Sequence, residues 1–87
     1  MGFRKYRGIN LPYNKQGQIY FTLVNYKEQN KRTRDRIDRL IRQAAGPHEA
    51  ALRAFVLDGR SAVAVAQEYY VSENRLYVMR KRLYESW

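Results

Sequence analysis

The sequence predicts an all-α fold: four to five short helices with a C-terminal helix-turn-helix, preceded by an N-terminal arm. Three observations carry that expectation. Apolar residues recur at helical spacing through most of the chain beyond residue 33, residues that start and stop helices stand between these runs, and only residues 18–26 offer a rival strand pattern. With 87 residues and roughly 60 to 65% of the unfolded surface buried on folding, one small domain is expected, and a partner subunit would add stability.

Residues 1–17 are punctuated by Gly2, Gly8, Pro12 and Gly17, show no sustained period, and read as a flexible basic arm ahead of a single helical domain over 18–87. In residues 18–26, QIYFTLVNY, a helical stripe is formed by Ile19, Tyr20, Leu23 and Val24, yet the residue types and their alternation also suit a short strand. Helix is favoured, because everything downstream is helical and a lone strand would have to pair with a second copy or with the arm. From about residue 33 to 45, Ile37, Leu40, Ile41, Ala44 and Ala45 line one helical face, with Arg34, Arg36, Asp38, Arg39 and Arg42 on the others. Gly46 suits the left-handed residue that ends this helix, and Pro47 the first residue of the next. Residues 48–57 then bury Ala51, Leu52, Phe55 and Val56, and Asp58-Gly59 closes them.

Residues 61–83, SAVAVAQEYYVSENRLYVMRKRL, read as two helices joined by a tight turn. Ser61 caps the first, in which Val65, Ala66 and Tyr69 form the packing pattern. Tyr70 stands in the turn, where glycine is often found. Val71, Leu76, Met79 and Leu83 supply the returning apolar stripe, and Ser72 is placed to cap the second helix. The outward face of that helix carries Glu73, Asn74, Arg75, Tyr77, Val78 and Lys81, flanked by Arg80 and Arg82.

Charge gives this pattern a direction. The chain carries 17 Lys and Arg against 8 Asp and Glu, a formal charge of +9, unevenly spread. Arg4, Lys5, Arg7 and Lys15 face no acid in the first 15 residues. Lys27, Lys31, Arg32, Arg34, Arg36, Arg39 and Arg42 outnumber Glu28, Asp35 and Asp38, and Arg75, Arg80, Lys81 and Arg82 outnumber Glu85. Between them, residues 46–74 are slightly acidic. Cations on the arm, one upstream helix and the second helix of the turn unit form a footprint suited to a polyanion.

Residues 51–83 resemble the PapB-type fimbrial (adhesin biosynthesis) transcription regulators. The resemblance lies in Ala51-Leu52-Arg53, Phe55, the Leu57-Asp58-Gly59 hinge followed by Ser61, then Val65, Tyr69, Val71, Leu76, Arg82 and Leu83. A weaker likeness is to the TrfB/KorA-type plasmid repressors, which share the Val/Leu-Asp-Gly lead into a helix-turn-helix. Residues 1–45 match neither family, and Arg75 stands where PapB-type proteins tend to have glycine or a small residue. The resemblance implies sequence-preferring binding to double-stranded DNA, a homodimer or higher oligomer, and transcription regulation on a mobile genetic element such as a plasmid, phage or conjugative element.

For base contact the candidates are Glu73, Asn74, Arg75, Tyr77 and Val78: arginine can bond guanine O6 and N7 with two hydrogen bonds, asparagine adenine N6 and N7, and tyrosine can meet a thymine methyl. Phosphate contact is expected from Ser72, Arg80, Lys81 and Arg82, from Arg60, Arg34 and Arg39, and from Arg4, Lys5 and Arg7 of the arm, which suits a narrow minor groove. Arg82 has a competing role in an ion pair with Glu85. Tyr84 and Trp87, at the end of the last helix, are placed to cover a dimer interface. The eight Tyr also raise base stacking in single strands or RNA, although packing accounts for them better.

Other classes find little support. The chain has no cysteine and one histidine, His48, at a helix start, so no metal site is expected and no cofactor. No Gly-rich phosphate loop appears, and the arrangement of Arg, His and Tyr needed by a tyrosine recombinase is missing. An enzyme is therefore not expected. Without a signal-like segment or membrane span, the expected location is the bacterial cytoplasm, at the nucleoid. Two rival functions stay open: an excisionase-like recombination directionality factor, and an adaptor like sigma region 4 or a replication adaptor, acting through protein contacts.

Overall fold

The computed structural model describes residues 3–87, which run through α1 (Tyr13–Val24), α2 (Lys31–Ala45), α3 (Glu49–Val56), α4 (Ala62–Tyr69) and α5 (Glu73–Glu85). Side-chain caps open three of the five. Asn30, Ser61 and Ser72 hold extended backbone and accept a hydrogen bond from the N–H three residues on, from Thr33 at 2.9 Å, Ala64 at 3.1 Å and Arg75 at 3.0 Å. Each bond satisfies a donor that a helix start leaves unpaired.

The fold is all-α, and no strand forms among the described residues. Residues 18–26 follow the helical alternative as far as Val24 and then enter a 3₁₀ turn, Tyr26–Glu28. The long basic helix begins at Lys31, two residues before the start expected from the sequence, because Asn30 provides the cap. Pro47 lies in a second 3₁₀ turn, Gly46–His48, and α3 begins after it.

The lead-in departs most from expectation. Its first two residues lie outside the described residues, but residues 3–12 are packed on the helices, and α1 already begins at Tyr13, so Gly17 is a helical residue. The cause is partly apolar, since Phe3 and Ile9 are both buried. Phe3 meets the rings of Tyr6, Tyr13 and Tyr20 at centroid distances of 5.3, 5.8 and 5.1 Å. The other cause is Gln16, a polar side chain of α1 with 0% exposure. Its Oε1 accepts from the Tyr6 N–H at 2.9 Å, and its Nε2 donates to the carbonyls of Ile9 at 3.2 Å and Leu11 at 2.9 Å. An amide removed from water needs such partners, and here the arm's own backbone supplies them.

The core joins Ile19 and Leu23 of α1, Ile37 and Ile41 of α2, Leu52 of α3, Val65 of α4 and Leu76, Met79 and Leu83 of α5. α5 packs on α2, α3 and α4 together. Tyr84 also faces inward, at 2% exposure, and meets Tyr6 at 5.6 Å, so it covers the arm and not a dimer interface. Its phenol is pushed well above its ordinary value, chiefly by burial.

A polar cluster ties α2 to α3. Asp38 accepts from Tyr26 Oη at 2.7 Å and Arg53 Nη1 at 2.8 Å, and the Arg53 guanidinium lies 5.2 Å from the Tyr26 ring centre. Burial pushes the Asp38 carboxyl up, but the hydrogen bonds from Arg53 and Tyr26 outweigh it and hold the group below its ordinary value of 3.8. In the acid range the unfolded chain therefore binds a proton that the folded chain does not, so stability is full above that ordinary value and falls as pH drops through the lower folded one. Thermal melts should show this acid-side decline, shallower in Asp38→Asn, with Glu68 and Glu85, also held low, sustaining the remainder. At the centre of the core, Leu52→Ala should cost about 2 to 5 kcal/mol in urea unfolding; a loss below about 1 kcal/mol would contradict the packing described.

Candidate nucleic-acid interface

The helical repeat of α5 decides which side chains face out. Leu76, Met79 and Leu83 are buried, which turns Asn74, Val78 and Lys81 to the opposite side as an exposed ridge. Tyr77 lies on one flank of that ridge, and Arg75 and Arg82 lie on the other.

Each flank has a groove. One, of about 370 Å³, runs between α5 and the arm, where Arg7, Gly8 and Ile9 face Tyr77, Val78, Arg80 and Lys81. The second, of about 260 Å³, is lined by Ser72, Asn74, Arg75, Val78, Met79 and Arg82. Val78 borders both, so the ridge has cations on either side.

The arm is part of this surface because of how it is tied. Gly8 takes a left-handed turn at φ 82°, which an L side chain rarely adopts, and the chain then returns through Ile9 to the body. The Asn10 N–H donates to Glu85 Oε2 at the end of α5, at 2.9 Å. That bond, followed by the Lys81 ammonium, holds the Glu85 carboxyl below its ordinary range.

Arg80 does not project into solvent as the flanking cation expected of it. Its guanidinium carbon lies 3.6 Å from the Tyr6 ring centre, 5.0 Å from Phe55 and 5.3 Å from Tyr77, joining the arm, α3 and α5 through their aromatic faces. Burial pushes its pKa down, the nearby tyrosines offset this in part, and the group stays a cation. Its buried Nε has no hydrogen-bond partner. Tyr77 is likewise partly engaged, meeting the Phe55 ring at 5.9 Å, although it remains 44% exposed.

The remaining candidates divide by partner. Glu73, Asn74 and Arg75 are exposed in the first turn of α5, and Ser72 is occupied as its cap. Lys81 pairs with Glu85 at 2.6 Å and Arg60 with Glu68 at 2.8 Å, both near the surface, where such pairs exchange at little cost. The ion pair expected of Arg82 with Glu85 is made by Lys81 instead, and among the described residues Arg4, Lys5, Arg7, Arg75 and Arg82 have no acid within ion-pair distance. On α2, Arg34 donates to the Gln29 carbonyl at 3.1 Å, and Arg39 is exposed; neither lines a groove beside α5. Val63 is exposed on α4.

Sequence reasoning missed Gln16, Ile9 and Asn10 as organisers of this surface. Phe3, Tyr6 and Ile9 do share a three-residue spacing, which could have suggested docking. A glutamine among polar neighbours carries no such signal.

Among the described residues no group of His, Cys, Asp and Glu could hold a metal ion, and no helix is long and apolar enough to cross a membrane. Comparison of the chain with protein-family models, curated proteins and solved structures found no match.

The turn between α4 and α5 leads to a direct test. Tyr70 sits at φ 56°, ψ 44° with 93% exposure, and the Val71 N–H returns to the Ala66 carbonyl at 3.2 Å, a helix-ending bond usually made around glycine. A tyrosine in this conformation is strained by about 1 kcal/mol and gains no packing in return. Tyr70→Gly should raise stability by up to about that amount in chemical denaturation. A loss would mean that the exposed ring has a role in holding the turn.

Proposed function

We propose that the protein binds double-stranded DNA with a sequence preference, through α5, as a small transcription regulator of a mobile genetic element. The observation that carries this is the exposed α5 ridge with a cation-lined groove on each side. An α-helix of 10 to 12 Å diameter fills a major groove about 12 Å wide, and a helix so placed has a phosphate strand along each edge. Arg75 and Arg82 stand on one edge, Arg7, Arg80 and Lys81 on the other. The resemblance of residues 51–83 to PapB-type regulators supports the same helix as the reader, and the charge of +9 supports the polyanion.

Asn74 and Arg75 are the base readers, with Val78 placed for a thymine methyl; Tyr77 contributes from the side, since part of its ring is held by Phe55. Phosphate contacts orient the helix without reading sequence. The protein acts at the nucleoid in the bacterial cytoplasm, and a second copy on the DNA would set half-site spacing.

The double variant Asn74→Ala, Arg75→Ala leaves the core and the caps in place. In competition binding against a selected duplex and a random one, it should lose preference by about tenfold to several hundredfold while random-duplex affinity changes far less. An unchanged ratio between the two duplexes would remove α5 as the reader. Binding to any partner that ignores salt between about 50 and 200 mM would favour a protein-contact adaptor instead.

A further inference from the structure

We propose that the groove between the arm and α5 is a preformed site for the phosphodiester backbone, in which Arg7, Arg80 and Lys81 hold the DNA strand along one side of α5, and that Gln16 is its positioning residue. This rests on the reading of α5 as a DNA-binding helix.

Arg80 gives the site its chemistry. The guanidinium, a planar fork of N–H donors, sits over the Tyr6 ring with its carbon 3.6 Å from the ring centre, and Arg80 lines the groove. Such a fork matches two oxygens of one phosphate, and stacking has already restricted its orientation. No acid lies within ion-pair distance of Arg80 among the described residues. A cation drawn out of water without a counter-ion is costly, so an anion arriving at the groove restores what folding removed.

The other walls suit the same ligand. Arg7 is exposed and unpaired on the arm side, and the groove lining contains no acid. Lys81 gives up a near-surface contact with Glu85 to turn toward a phosphate, and Glu85 keeps the Asn10 N–H. Tyr77 and Val78 offer apolar surface to a deoxyribose between phosphates. The arm therefore stays beside α5, on the major-groove side, in place of the minor-groove insertion expected of Arg4, Lys5 and Arg7.

Gln16 determines whether the groove exists. Its amide holds the backbone at Tyr6, Ile9 and Leu11, and so places both the Tyr6 ring over Arg80 and Arg7 at the rim. A loose basic tail would carry the same charge without the geometry.

Fluorescence anisotropy of the full chain on its selected duplex and a random duplex, between about 50 and 200 mM salt, separates these cases. Gln16→Leu removes no charge. It should weaken both duplexes by the same factor, about tenfold, and lower the slope of log affinity against log salt by about one. Arg7→Ala should do the same, whereas Lys15→Ala, an exposed cation outside the groove, should leave the slope unchanged. Wild-type binding with unchanged affinity and slope in Gln16→Leu overturns the proposal, as does an equal loss in Lys15→Ala and Arg7→Ala. Circular dichroism checks folding; should Gln16→Leu not fold, Arg80→Lys decides, since it keeps the charge and loses the fork, and unchanged binding there overturns the site. No duplex binding by the wild type sinks this proposal and the DNA-binding reading together, while binding with unaltered variants sinks this proposal alone.

Discussion

Gln16 extends from α1 with its side chain fully out of water, and its amide meets Tyr6 on one side and the carbonyls of Ile9 and Leu11 on the other. A buried amide left without partners costs about 1 to 3 kcal/mol for each unmet group, so the interior and the first 12 residues have to form together. The rest follows from that constraint. Once the backbone at Tyr6 is fixed, its ring lies on Arg80; once Ile9 and Asn10 are fixed, the chain is joined to Glu85 at the far end of α5. The outer surface of α5 is bounded on one side by a segment more than 60 residues away in sequence.

In the proposed site, Arg80 serves packing and recognition with one group. It is drawn toward the aromatic rings of three elements, and its desolvation is only partly offset by their faces. Replacing it with an apolar residue of similar volume would remove that cost. A cation kept there has its clearest use when something negative comes to it, and the neighbouring Arg7 and Lys81 give the same direction to the field.

Much of this was legible in the sequence, for identifiable reasons. The caps Ser61 and Ser72, the stripe of Ile37, Leu40 and Ile41, and the inward positions Leu76, Met79 and Leu83 depend on local chemistry and on the 3.6-residue repeat, so α2, α4 and α5 were readable. So was the exposure of Asn74, Arg75 and Val78. The arm was not. Its order comes from Phe3, Tyr6 and Ile9 finding partners in α1 and α5, which leaves only a three-residue spacing too short to stand out as a period, and from an amide whose hydrogen bonds close loops in the chain and leave no pattern at all. The inward turn of Arg80 and Tyr84 was hidden for a related reason. Both lie at the edge of the α5 stripe, where the repeat alone allows either side, and the arm that draws them in carries no sequence period that would dock it there.

Docking the arm also changes when its entropy is lost. Fixing a residue's backbone costs about 1 to 2 kcal/mol, and a flexible tail that became ordered on a ligand would meet that cost at binding, reducing affinity by as much. Here residues 3–12 are already held by Gln16, Phe3 and Ile9, so folding has absorbed the cost and the cation at Arg7 stands in place beforehand. The compensation is reciprocal: a domain of 87 residues has a thin margin of burial, and the arm adds apolar surface to the core while the core fixes the arm. A change that loosened the arm would therefore weaken the fold and blunt the α5 surface at once, which makes this segment a structural component of that surface and not an appendage to it.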